Sequence, residues 1–194
     1  MSKKTLKPGF AEGYNELAAT YAAQDNEDSH EEALRWWHKS AESGNTSGQF
    51  KLGLAYYEGK GTPQDYEEAV HWWRQAANNG HIPAQNMLGQ MYYRGYGIEQ
   101  SYEEALHWIQ MAARNDFAEA QFRLGNLYEW GRAVEKNYPA AALWYQKAAK
   151  QGHQGAEKAL RRQITLGDLL YRPEPTEEMI TGWLSPRYIQ MKDE

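Results

Sequence analysis

Six histidines, His30, His38, His71, His81, His107 and His153, are the residues here best suited to hold a metal or to move a proton near neutrality. Their spacing argues against a metal. None forms a His-x-x-x-His or His-Glu-x-x-His pair, and a zinc site needs three or four converging ligands. Adjacent carboxylates at Glu67-Glu68 and Glu103-Glu104 could act as acid and base, and Gly59-Lys60-Gly61 could cradle a phosphate. The pairs Trp36-Trp37, Trp72-Trp73, Trp108-Ile109 and Trp144-Tyr145 could stack on bases or sugars. The glycines fail as a dinucleotide fingerprint, which needs a strand before them and a third glycine after. No Gly-x-Ser-x-Gly or Walker pattern occurs, and with 0 Cys there is neither thiolate chemistry nor a disulfide framework. No catalytic residue, cofactor or metal ligand is expected.

Each of these candidates sits at a fixed phase of a repeat, which gives it a plainer role. Leu52-Gly53 returns as Leu88-Gly89 and Leu124-Gly125, each 36 residues on. Tyr56 recurs as Tyr92 and Tyr128, Gly59 as Gly95 and Gly131, and Trp72 as Trp108 and Trp144. A period of this size means a solenoid in which each unit packs mainly on its neighbours. His71 and His107 share one phase, and His81 and His153 another. The Glu pairs fall at helix N-termini, where the helix dipole favours anions. The aromatic pairs fill the core between units, with the second member of each expected partly exposed on the outer face.

Every full unit divides into two helices. Gly48, Leu52, Tyr56 and Gly59 lie on one stripe of the first. A mid-helix glycine costs about 1 kcal/mol relative to alanine. Its return at Gly53, Gly89 and Gly125 predicts neighbouring backbones too close for a Cβ. Gly59-Lys-Gly61 and Gly95-Tyr-Gly97 end the first helix, and the second begins near Asp65, Ser101 or Asn137, all good N-caps. The expected organisation is a leader over residues 1–10 and a degenerate N-terminal capping repeat over 11–45. Three repeats follow over 46–81, 82–117 and 118–153. A capping helix at 154–171 and a tail at 172–194, with a short helix near 176–184, complete the chain.

Composition narrows the class of function. With 8 Trp and 14 Tyr but a mean hydropathy of −0.89, the chain has large rings for thin interhelical layers and much wet surface. A net charge of −5 gives none of the basic field that nucleic-acid binding uses, and no basic amphipathic helix suits a membrane surface. Met1-Ser-Lys-Lys-Thr lacks the apolar run of a signal peptide, and no window approaches a transmembrane span. A cytoplasmic location is the expectation.

Leu-Gly-x-x-Tyr on the first helix and paired alanines on the second resemble the tetratricopeptide plan. The 36-residue period, the Gly-x-Gly turn and the ending Lys147-Ala-Ala-Lys-Gln-Gly152 resemble more closely the Sel1-like repeat family. The resemblance implies an all-α fold, a right-handed α/α superhelix of about four helix pairs plus a C-terminal capping helix. It also implies a non-catalytic adaptor that binds a protein or peptide in a concave groove, as some bacterial members bind one cognate partner in the manner of an immunity protein. The alternative is an enzyme or small-ligand binder, related to cell-wall or β-lactam chemistry, using the same groove. In the tetratricopeptide plan the groove is lined by the first-helix face opposite the Leu-Gly-Tyr stripe. On this chain that face carries Phe50, Leu54 and Tyr57, then Asn86, Gln90 and Tyr93, then Phe122, Asn126 and Glu129; the first unit offers Asn15, Ala19 and Ala22. Rings would anchor a partner and the amides between them would satisfy its backbone groups.

Overall fold

The structure is a computed structural model that describes residues 8–24 and 26–165. The expected tail at 172–194, its short helix near 176–184, and residues 166–171 of the expected cap lie outside the described residues. Nine helices occur among those described: α1 (Pro8–Ala22), α2 (Glu27–Glu42), α3 (Thr46–Glu58), α4 (Tyr66–Asn78), α5 (Ile82–Arg94), α6 (Tyr102–Arg114), α7 (Ala118–Trp130), α8 (Tyr138–Lys150) and α9 (Gln154–Thr165). No strand occurs among them. The chain is an all-α helical repeat solenoid. It divides into two units at Asn115 and Asp116, the first holding α1–α6 and the second α7–α9. Helix α1 starts at Pro8, ahead of the expected boundary at residue 11, because a proline fits a first turn whose N–H would be unpaired anyway.

Local chemistry sets the helix ends. Asn26 and Ser29 form a reciprocal capping box on α2. Asn45, Asp65, Ser101 and Asn137 each accept hydrogen bonds from first-turn N–H groups of the helix they open. Glu67-Glu68 and Glu103-Glu104 follow as exposed first-turn charges, which fits the dipole reading and not an acid–base pair. At the other end, α3, α5 and α7 stop on Gly59, Gly95 and Gly131 in the left-handed conformation. Gly61 and Gly97 hold positive φ two residues later. A Cβ at either would strike the backbone of the preceding second helix, at His30 or Tyr66, so the turn is docked as well as bent.

Within each helix pair the recurrent glycine lies under a side chain of the second helix. A Cβ on Gly53 would come 2.6 Å from Trp73 Nε1, one on Gly89 2.7 Å from Ile109 Cγ1, and one on Gly125 2.5 Å from Tyr145 Cε1. The expectation of backbone against backbone holds in part at Gly89, where the Ala105 carbonyl and the Ile109 N would lie 3.2 Å from a Cβ; at Gly53 and Gly125 it is corrected, because a side chain fills the space the missing Cβ leaves. The expectation that the second member of each aromatic pair is partly exposed holds for Trp37 and is corrected for the other three. Trp73 and Tyr145 are 0% exposed and Ile109 2%, because this position and not its neighbour meets the glycine. Trp73 also donates its indole N–H to the Phe50 carbonyl at 3.1 Å. Around it Val70, Ala77, Leu88 and Met91 close the core of the first unit.

A buried glutamine occupies one phase of three first helices, Gln49, Gln85 and Gln121. Gln49 and Gln85 donate to Ala41 and Ala77, in the last turn of the preceding second helix, at 3.3 Å. Each adds a second hydrogen bond to a carbonyl that the following turn already engages, and so ties the first helix to the end of the helix before it.

The small residue at the stacking contact is a necessity in one helix and dispensable in another. A Cβ at Gly48 would lie 2.7 Å from Ser40 Cβ, whereas one at Gly13, the matching position of α1, meets nothing within 4 Å. Gly48→Ala is therefore expected to destabilise by about 1–3 kcal/mol through overpacking. Gly13→Ala should stabilise by about 0.5–1 kcal/mol through helix propensity. Urea unfolding midpoints of the two variants should move in opposite directions.

Candidate functional site

The variable first-helix face divides by burial. In the first unit Phe50, Leu54, Tyr57 and Tyr93 are half-buried and keep an open side. Phe50 stacks on His81 with ring centroids 4.8 Å apart. Tyr57 leans on Tyr66 and Trp73 at 5.4 Å each, and Tyr93 leans on Tyr102 at 5.3 Å. Asn86 and Gln90, expected between these rings as surface amides, are 3% and 8% exposed, withdrawn between neighbouring helices.

In the second unit Phe122 is half-buried, stacked on His153 at 4.6 Å and tilted against Tyr145 at 5.7 Å. Glu129, also expected on the face, is turned inward. Its carboxylate lies 2.5 Å from the Tyr145 hydroxyl and 2.6 and 2.7 Å from Arg162 Nη2. The same hydroxyl is 2.7 Å from Asn126 Oδ1, so Asn126 is engaged internally too. With one proton to give, the phenol donates to the carboxylate, the stronger acceptor. Burial first, and then this hydrogen bond, raise the Tyr145 phenol far above its ordinary value, so it stays a neutral donor. Arg162 is largely exposed, yet its guanidinium ties α9 to α7.

His81 and His153 have a defined job that the sequence showed only as a shared phase. Their Nδ1 atoms accept the Ala84 and Ala156 N–H groups at 3.3 and 3.1 Å, capping α5 and α9. Such a cap requires Nδ1 without a proton. Burial, and secondarily Lys51, push the His81 imidazole below its ordinary value. His71 and His107 are exposed and set edge-on to Trp72 and Trp108 at 5.2 Å. Among the described residues no group of three or more His, Asp or Glu could hold a metal ion. No helix among them is long and apolar enough to cross a membrane.

One open cleft, of about 310 Å³, adjoins this face in the first unit. Its walls are Ala19, Ala22 and Ala23 at the end of α1, Trp37 on α2, and Leu54 and Ala55 on α3. His30, Lys51, Glu58 and Lys60 stand around it. The cleft exists because α1 carries Ala19 and Ala22 where α3 carries Leu54 and Tyr57.

The model of the Sel1 repeat matches four times, over residues 11–45, 46–81, 82–117 and 118–153. The chain belongs to the Sel1 repeat family. Among solved structures, this Sel1 repeat protein is similar to a protective antigen present in uropathogenic Escherichia coli strains displaying an SLR fold. That similarity is at 34% identity and TM-score 0.76, covering 81% of this chain and 34% of that one. It is similar to a Sel1 repeat protein from Oxalobacter formigenes at 31% identity and TM-score 0.72, covering 79% of this chain and 63% of that one. Cysteine rich protein B of Helicobacter pylori, at 18% identity and TM-score 0.55 over 69% of this chain and 96% of that one, shares the fold. The Sel1 chain thus spans about a third and just under two thirds of the length of the first two. No curated protein matches it.

The Sel1 frame therefore brings together Phe50, Leu54, Tyr57 and the cleft, and separately ties Asn126 and Glu129 into a polar knot. Two features escaped sequence reasoning. The buried glutamines were legible as a recurring Gln at one phase. The Glu129–Tyr145–Arg162 knot left a weaker trace, a charge appearing where other copies have Tyr57 and Tyr93.

Tyr145→Phe should cost about 1–3 kcal/mol in chemical denaturation, since it removes a hydroxyl donor from a buried carboxylate. For His81 the folded value lies below the unfolded one, so the unfolded chain binds more protons as the medium acidifies. Its contribution is complete above about pH 6.5 and is lost as pH falls through the lowered value. His81→Asn keeps a cap that cannot be protonated. Its midpoint-against-pH curve should be flatter than that of the unaltered chain; parallel curves would contradict the assignment.

Proposed function

We propose that this Sel1 repeat protein is a non-catalytic interaction module that binds a protein or peptide segment along the first-helix face. The repeat fold typically mediates protein–protein interaction. The observation that carries the reading here is the half-buried row Phe50, Leu54, Tyr57 and Tyr93 running beside the open cleft of the first unit. Rings held on rigid helices with one side open lose little freedom when a partner covers them. Asn126 and Glu129 serve this face from below by tying α7 to Tyr145 on α8, while Asn86 and Gln90 are buried beneath it; Phe122 offers a comparable ring on the second unit. The similar structures from Escherichia coli and Oxalobacter formigenes support a bacterial setting, and a cytoplasmic adaptor or a dedicated binder of one cognate protein fits the same reading.

Affinity capture from cell extract with mass spectrometry should recover a partner that the Phe50→Ala, Tyr57→Ala, Tyr93→Ala triple variant loses. Circular dichroism and the melting midpoint establish that the variant is folded. Unchanged recovery by a folded triple variant would remove these rings from the binding surface.

A further inference from the structure

The cleft between the end of α1 and the middle of α3 differs from the rest of the molecule in charge. The whole chain carries −5, and α1 itself holds Glu12 and Glu16 with no lysine or arginine. Around the cleft, however, stand Lys51, Lys60 and His30 against one carboxylate, Glu58, which is already 2.8 Å from Lys60 Nζ. Lys51 is exposed and has no carboxylate within ion-pair distance among the described residues. Its charge also lies near His81, where it adds to the effect of burial in lowering that imidazole.

The floor is of opposite character. Ala19, Ala22, Leu54, Ala55 and Trp37 make an apolar surface. At about 310 Å³ the space lies at the lower end of ligand clefts, which run from about 300 Å³ upward. That is the scale of one anchoring side chain with the main chain beside it. The origin of the space is specific to this end of the array. The phase that holds Leu54 and Tyr57 on α3, and Gln90 and Tyr93 on α5, holds only alanines on α1.

We propose that this cleft docks an acidic segment of a partner protein, which inserts one apolar side chain over Leu54 and Trp37 and sets a carboxylate against Lys51. The proposal rests on the interaction reading above and names the partner's chemistry. Charge complementarity selects the occupant: a basic segment would meet Lys51 and Lys60 at the rim. A polyphosphate backbone has no use for an apolar floor this size and would face an acidic chain beyond it.

The test uses the full chain and fluorescein-labelled dodecapeptides read by anisotropy. One set has a central leucine, phenylalanine or tryptophan flanked by aspartates; control sets replace the aspartates by lysines or the central residue by alanine. The acidic, apolar-centred set should bind, and each control should bind at least about tenfold more weakly. Ala22→Tyr, which rebuilds on α1 the ring carried by α3 and α5, should fill the cleft and weaken binding by about tenfold or more while leaving the melting midpoint unchanged or higher. Lys51→Glu, at an exposed position, should do the same by charge. Equal binding of lysine-flanked peptides, unchanged binding by both variants, or displacement of no acidic probe but tight binding of octanoate would overturn the proposal. If the acidic probes bind, and the Phe50, Tyr57 and Tyr93 triple variant abolishes binding while Ala22→Tyr and Lys51→Glu do not, the cleft assignment falls and the interaction reading stands. If that triple variant captures every partner normally while Ala22→Tyr and Lys51→Glu still weaken the acidic probes, the rings leave the binding surface and the cleft stands.

Discussion

The three full helix pairs of this solenoid depend on a side chain of the second helix lying on a bare glycine of the first. Trp73 on Gly53, Ile109 on Gly89 and Tyr145 on Gly125 let two helices pack closer than a Cβ would allow. Each glycine costs helix propensity of about 1 kcal/mol, and each buried ring or branched chain returns about 1.5–3 kcal/mol. The contact wins, and it fixes the angle and register from which the turns and caps follow. The turn glycines, docked on the backbone of the previous second helix, then transmit that register along the first unit.

This division of labour governs where recognition can occur. Positions that face the previous helix, such as Gln49, Gln85 and Gln121, are committed to the stack and recur unchanged. The opposite side of the first helix is released from that duty, and there the copies diverge: Phe50, Asn86 and Phe122 at one phase, Tyr57, Tyr93 and Glu129 at another. Release is incomplete, however. Asn86, Gln90 and Glu129 are drawn into the interior, leaving the rings as the part of the face that meets solvent.

The sequence exposed the frame well because the frame is periodic. The helix pairs, the Asp65, Ser101 and Asn137 caps and the first-turn glutamates were all readable from recurrence and spacing. Burial along the variable face was not, since a helical wheel assigns direction without knowing how far a neighbouring helix reaches. That is why Asn86 looked like a surface amide. The aromatic pairs misled for a related reason: both members are large, and the glycine beneath encloses the second one fully while Trp72 and Trp144 are buried beside it. The cleft beside Leu54 was legible only as an absence, two alanines at a phase occupied elsewhere by larger side chains.

The residue laid on the glycine also differs from copy to copy, and each version has its own fitting. Trp73 needs the Phe50 carbonyl for its indole, Ile109 needs no hydrogen bond, and Tyr145 needs Glu129 with Arg162 behind it. The storeys of this molecule look interchangeable in outline, yet they are keyed. Recombination that excised or reordered one 36-residue unit would leave the period intact. The indole and the phenol would travel with their mates, Phe50 and Glu129, but moving the last unit would part Glu129 from Arg162 on the cap helix. The last repeat is thus keyed to the helix that follows it, and the array resists shuffling at that end.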